Sequence, residues 1–178
     1  VAGCATFAGY EAKAAASANE KIRVGVMGLS RGKSLVDTFS KSPNAEVAYL
    51  CEVDTRRFQA SASVMEKNGV AAAQQVADVR KILDDPKIDA LVIAAPDHWH
   101  APICRAAMQA GRHVYCEKPL THTIAEARQL RELTKASKVV TQMGNQGSAS
   151  ANLRRSMELI AAGFFGAITE VHAWHPPH

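Results

Sequence analysis

Residues 24–32 read Val-Gly-Val-Met-Gly-Leu-Ser-Arg-Gly, and the fold is decided by how that stretch is read. The apolar run from Ile22 to Met27 has the length and composition of a strand buried on both faces. It stops at Gly28, after which Leu35, Val36 and Phe39 recur on one face of a helix. Strand, glycine turn and helix together aim backbone N–H groups and a helix N-terminus at a pyrophosphate. The glycine spacing is imperfect. With Gly28 as the first glycine of G-x-G-x-x-G, Ser30 takes the second place, Lys33 the third, and Gly32 comes one place early. A plain tight turn explains the same letters. The candidate cofactor cradle is Gly28, Ser30, Arg31 and Gly32.

Outward from this turn, short apolar runs alternate with helical patterns. Ala45 to Cys51 reads as a second strand. Asp54 caps a helix carrying Phe58, Ala62 and Met65, which Asn68-Gly69 ends. A short third strand is expected over Val70 to Gln74, then a helix marked by Val76, Val79, Ile82 and Leu83. Asp89 to Ala95 is a continuous apolar run, as a central parallel strand requires. The next helix is expected to hold Pro102 in its first turn, with Ile103, Ala106, Ala107 and Ala110 on one face and Gly111 as its stop. His113 to Cys116 gives a fifth strand, Thr123 to Glu126 a capping box, and Lys138 to Met143 a sixth strand. Such alternation specifies right-handed βαβ units and a doubly wound α/β sheet of the Rossmann type.

The texture changes after Gly144. Asn145 to Ser150 is polar; Leu153, Met157, Ile160 and Ala161 then form one amphipathic face, stopped by Gly163, and Ala167 to Trp174 alternates like a strand. The expected organisation is a dinucleotide-binding domain over 21–143, followed over 144–178 by the incomplete start of a second domain.

Composition narrows the classes of function. The 178 residues are 47% apolar and 21% charged, an ordinary globular balance. The net charge is +4, but Lys and Arg are scattered rather than massed, so no nucleic-acid partner is expected. No apolar run approaches the ~18 residues that span a bilayer. Cys4, Cys51, Cys104 and Cys116 lack metal or C-x-x-C spacing and read as small buried hydrophobes, with one disulfide left open. Residues 1–20 are rich in Ala and Ser; Ala16-Ser17-Ala18 fits a signal cleavage site, and Val1-Ala2-Gly3-Cys4 resembles a lipoprotein processing box. An exported protein is expected, with a disordered tail on a cytoplasmic one as the alternative.

Three strand ends carry the ionisable groups. Glu52 stands twenty-four residues after Gly28, where a carboxylate accepts the hydroxyls of an adenosine ribose. It would repel a 2′-phosphate, which favours NAD over NADP, although Arg31, Arg56 and Arg57 soften that preference. Pro96-Asp97-His98-Trp99-His100 follows the fourth strand on the ligand side of the sheet. With Asp97 the one acid nearby, no metal site is expected. Contact of this segment with cofactor or substrate is the functional reading, and helix capping by either His is the structural one. Glu117-Lys118-Pro119 follows the fifth strand. A solvated charge pair before a turn would explain it in isolation, but two successive strand ends with ionisable groups make a site pattern. Lys118 suits proton movement at a substrate hydroxyl, because burial and neighbouring cations can lower a lysine pKa.

Gly28 with Glu52, Ala95 to His100, Ala107 to Gly111 and, above all, Val114-Tyr115-Cys116-Glu117-Lys118-Pro119-Leu120 resemble the Gfo/Idh/MocA oxidoreductases. The resemblance runs from about Lys21 onward, and its specific part is the Glu-Lys-Pro segment. It implies a hydride transfer between NAD and a sugar or polyol hydroxyl, with NADP the lesser choice. It places Lys118 by the nicotinamide and the substrate, Glu117 beside it, and Ala95, Pro96, Asp97 and His100 along the nicotinamide half of the crevice. Asn145 would close over that half. Lys118 and His100 are the candidate acid–base groups; Tyr115 and Met143 are read as packing. The resemblance further implies an open-faced sheet domain after residue 144 that supplies substrate contacts, an acid–base pair and homo-oligomer contacts, so the 178 residues alone are expected to bind dinucleotide without turnover. Two rivals are an NAD-using glycoside hydrolase relative, which Lys118 argues against because such members tend to lack it, and a non-catalytic dinucleotide sensor.

Overall fold

The computed structural model describes residues 21–174. The export-signal reading of residues 1–20 and Cys4 lie outside the described residues.

Six strands form one parallel sheet in the order β3-β2-β1-β4-β5-β6. They are β1 (Ile22–Met27), β2 (Ala45–Cys51), β3 (Gln74–Val76), β4 (Ala90–Ile93), β5 (His113–Glu117) and β6 (Thr141–Gly144). Side chains alternate across the sheet, and both faces are covered. Leu91 and Ile93 of β4 enter one core with Ile103, Cys104, Ala107, Val114 and Leu130. Val92 and Ala94 enter the other with Val24, Val26, Leu35, Val36, Phe58 and Met65. A strand with apolar groups on both faces has no solvent side, which is why Asp89 to Ala95 shows no polar alternation.

The helices are α1 (Gly32–Ser40), α2 (Phe58–Lys67), α3 (Arg80–Leu83), α4 (Asp97–Gln109), α5 (Ile124–Ala136) and α6 (Ala151–Ala161). The first two cover one face, and α3 to α5 the other. The capping box opening α5 is formed, with Thr123 accepting from the Glu126 N–H and Glu126 accepting from the Thr123 N–H.

Four elements depart from expectation. The third strand lies at Gln74–Val76 rather than Val70 to Gln74, so Val76 belongs to a strand. Pairing with β2 decides this: Cys51 faces Val76, and the Glu52 N–H reaches the Val76 carbonyl at 3.1 Å. The helix after it is a single turn, begun where the Asp78 carboxylate accepts the Arg80 N–H. Pro102 stands inside α4 rather than in its first turn, because the helix starts at Asp97 directly after Pro96. The N–H that Pro102 lacks would have met the His98 carbonyl on the exposed side. Residues 167–174 form no strand, pair with no described strand and are exposed. The apolar face of α6 is likewise uncovered among the described residues, with Leu153, Met157 and Ile160 exposed.

Cys51, Cys104 and Cys116 are buried free thiols, and burial pushes the Cys51 thiol up to about 12.

Candidate functional site

The strand order reverses direction between β1 and β4. From these neighbours the chain departs to opposite faces, into α1 and into α4, and a crevice opens at their carboxyl ends. Gly28 makes the turn after β1 with φ +85°, and a Cβ there would fall 2.5 Å from the Ala94 carbonyl oxygen. Backbone therefore lies directly on backbone. The Gly28 N–H donates to Cys51 (2.9 Å), and the Ala94 N–H donates to Met27 (2.8 Å).

Gly32 opens α1 and is buried; a Cβ on it would meet Val26 at 3.2 Å and Ala94 at 3.4 Å. It thus supplies the tight helix-to-sheet packing despite arriving one place early. Among the described residues no side chain caps α1, and although the Ser34 N–H turns back to the Arg31 carbonyl at 3.2 Å, the first N–H groups of a helix have no partner in the turn before. Together with the Gly28 cradle, these donors fit a pyrophosphate. Ser30 and Arg31 are exposed on the same turn.

Glu52 follows β2 and points at this turn. Its Oε2 accepts the Leu29 N–H at 2.9 Å, while Oε1 accepts the N–H groups of Val53 (2.8 Å) and Asp54 (3.1 Å). A carboxylate has about four lone-pair sites, so acceptor capacity remains for a ribose hydroxyl. Arg56, bonded to Asp54 at 2.8 Å, and Arg57 stand nearby on the following turn.

Glu117 ends β5 with 4% of its surface exposed. Its Oε1 accepts from Gln146 Nε2 at 2.5 Å and lies 3.7 Å from Arg31 Nη2. Gln146 also donates to the Tyr115 hydroxyl at 2.9 Å. That phenol is held above its ordinary pKa by burial and then by the Glu117 charge. Tyr115 packs edge-on against Phe39 at 6.3 Å, and Gly144 leaves room for its hydroxyl, which a Cβ there would meet at 2.8 Å. Gln146 belongs to no motif in the sequence; its one signal is adjacency to Asn145 in the polar loop after β6.

Lys118 is exposed and has no ion-pair partner among the described residues. Pro96 and Asp97 are exposed at the start of α4, Ala95 is half-buried, and Asn145 is exposed between β6 and the turn that carries Gln146. His100 departs from the acid–base and cofactor-contact roles expected of it. Its side chain is buried (1% exposed), with Nδ1 2.6 Å from the Pro119 carbonyl and Nε2 2.8 Å from the Ala95 carbonyl. Neither ring nitrogen is left to meet a substrate. His98 and Trp99 are exposed, and neither His caps α4, whose N-cap is Pro96. A separate groove lined by Arg23, Glu46, Tyr49 and Lys87 opens at the opposite, amino-terminal ends of β1 and β2.

A parallel sheet with a glycine turn, a free helix start and an acid after β2 at its switch point defines a dinucleotide-binding Rossmann domain. The family model described as "Oxidoreductase family, NAD-binding Rossmann fold" matches residues 22–145, and the chain belongs to this Gfo/Idh/MocA family. The chain is 27% identical over 146 residues to the myo-inositol 2-dehydrogenase of Thermotoga maritima, covering 82% of this chain and 42% of that protein. It is 26% identical to a glycosyl hydrolase family 109 protein of Saccharopolyspora erythraea over 85% of this chain and 34% of that one. Among solved structures, the WlbA dehydrogenase of Bordetella pertussis, in complex with NADH and UDP-GlcNAcA, superposes with a TM-score of 0.71. It is 26% identical, over 83% of this chain and 44% of that one. The chain thus spans less than half the length of these relatives.

Proposed function

We propose that this chain is the cofactor-binding part of an enzyme that oxidises or reduces a sugar or polyol hydroxyl with NAD. The observation that carries the reading is the exposed Lys118, without an ion-pair partner among the described residues, placed one residue beyond the buried Glu117, at the carboxyl edge where the Gly28 turn and Glu52 gather. Bound NAD would supply the hydride acceptor or donor. The protein's own groups position and move protons. The N–H groups at the start of α1 hold the pyrophosphate, Glu52 the adenosine ribose, and Glu117 borders the nicotinamide half with Pro96, Asp97 and Asn145. Lys118 orients the substrate hydroxyl and takes or returns its proton, with the carbinol C–H leaving as hydride.

The NAD preference rests on Glu52, and the second domain is taken to begin after β6. The names of the relatives support the substrate class: an inositol dehydrogenase and a dehydrogenase bound to a nucleotide sugar. The likeness to a glycosyl hydrolase family 109 protein favours a second reading, in which a glycosidic bond is broken through transient oxidation. Export remains part of the proposal through Ala16-Ser17-Ala18.

The deciding experiment is turnover of the full-length enzyme on a panel of polyols and sugars with NAD, before and after Lys118→Ala. NADH released in step with substrate, lost by roughly 10²–10⁴-fold in the variant while NAD affinity holds, is the expected result. Glycoside cleavage without net NADH supports the second reading, and unchanged turnover in the variant removes Lys118 from the chemistry.

A further inference from the structure

We infer that His100 is a positioning residue that fixes Lys118 by tying together the two chain segments leaving β4 and β5. The inference rests on the proposed role of Lys118. The ladder between these strands ends at the pair Ile93 and Cys116. Beyond it the two backbones part, one toward Ala95 and α4, the other through Glu117 and Lys118 to Pro119. The His100 ring spans that gap. Nδ1 meets the Pro119 carbonyl at 2.6 Å and Nε2 meets the Ala95 carbonyl at 2.8 Å. The imidazole therefore continues the cross-strand connection past the point where strand pairing stops.

Three features make this a directed device rather than filler. The ring is 1% exposed, one of four buried polar or charged side chains among the described residues, with Ser40, Ser61 and Glu117. Both partners are carbonyl oxygens, which only accept, so a neutral ring donates to one of them and a doubly protonated ring to both. The shorter contact assigns the Nδ1 proton to Pro119, the residue next to Lys118. Lys118 itself is exposed and meets no ion pair among the described residues, so no side-chain partner there holds its ammonium in place. A shift of an ångström in an acid–base group can cost about 10²-fold in rate.

Asn and Gln separate the two bonds, because an Asn amide nitrogen falls near the place of Nδ1 and a Gln amide nitrogen near that of Nε2. In the full-length enzyme, His100→Asn keeps the Pro119 bond and should retain turnover within about threefold. His100→Gln keeps the Ala95 bond alone and should lose roughly 10–100-fold. NAD affinity should change less than threefold in both. In a Lys118→Ala background, His100→Gln should cost nothing further, since the effect runs through Lys118. Equal losses in the Asn and Gln variants that track melting temperature would overturn the inference, as would a full additional loss without Lys118. A ring ¹⁵N spectrum gives an independent reading: Nδ1 should carry a slowly exchanging proton, and a bare Nδ1 overturns the tether. Lys118→Ala with unchanged turnover would instead sink the parent reading, whatever the ring spectrum shows.

Discussion

Arg31 at the start of α1 and Glu117 at the end of β5 face each other across the switch point, with Nη2 3.7 Å from Oε1. The pair is unequal, since the Arg31 side chain is 56% exposed and that of Glu117 6%. A half-exposed ion pair at this separation is worth little, so the guanidinium can turn to an incoming phosphate at small cost.

Arg31→Ala should therefore weaken dinucleotide binding by about tenfold, the worth of one hydrogen bond to a charged group. Because the contact is electrostatic, the deficit should shrink as salt is raised. Calorimetric titration at low and high ionic strength checks both. An unchanged affinity would leave Arg31 as a partner of Glu117 alone.

Gly28 and Gly111 both adopt positive φ, +85° and +72°, but they differ in surroundings. At Gly111 nothing lies within 4 Å of an added Cβ, whereas at Gly28 the Ala94 carbonyl oxygen is 2.5 Å away. Gly111→Ala should cost only the left-handed backbone penalty of about 1–2 kcal/mol. Gly28→Ala should cost more and abolish dinucleotide binding, because the turn must move off β4. Denaturant unfolding of the two variants side by side, with NAD binding measured in each, tests the difference.

Glu52 has two jobs in the geometry. It braces the Gly28 turn through the Leu29 N–H and retains capacity for a ribose hydroxyl. Glu52→Ala leaves the N–H groups of Leu29, Val53 and Asp54 without their acceptor, a loss of about 1–3 kcal/mol of stability where the groups stay dry. It should also narrow the preference for NAD over NADP. Equal or tighter NADP binding by the unmutated protein would refute the assignment.

Much of this was legible in the residue order, for physical reasons. β4 is buried on both faces, and Asp89 to Ala95 shows it as an unbroken apolar run. Thr123 and Glu126 announce α5 because a capping box is local chemistry. The elements that failed depend on distant partners. β3 is three residues long and is fixed by its pairing with β2, which no local pattern encodes. The helix α4 starts ahead of where Pro102 points in the sequence, because this proline tolerates a second-turn position whose lost bond faces solvent. Residues 167–174 alternate as a strand does, yet no described edge pairs with them. At the candidate site, Gly28, Glu52 and Glu117 stand out in the sequence through strand-end position. His100 was read by its chemical type, and its burial, which comes from the packing of α4 against the segment after β5, decided otherwise.

Gln146 offers the last test, because one amide serves two groups. Its Nε2 donates to the buried Glu117 carboxylate at 2.5 Å and to the Tyr115 hydroxyl at 2.9 Å. Gln146→Ala leaves Glu117 facing Arg31 at 3.7 Å as its remaining charged partner. A stability loss of about 1–3 kcal/mol is expected for a buried acceptor stripped of its donor. The phenol gives a second readout. Burial and the Glu117 charge raise the Tyr115 pKa, and the Gln146 bond works against them. Removing that bond should move the phenol further up. In linkage terms the folded state holds the Tyr115 proton more tightly than the unfolded state does. Its contribution to stability is full below the ordinary tyrosine value of about 10 and fades as pH rises through the higher folded value. Spectroscopic titration of phenolate should thus find Tyr115 ionising later in Gln146→Ala than in the parent, whereas Glu117→Gln should bring it earlier. A downward shift in Gln146→Ala would show that the amide does not donate to the Tyr115 oxygen.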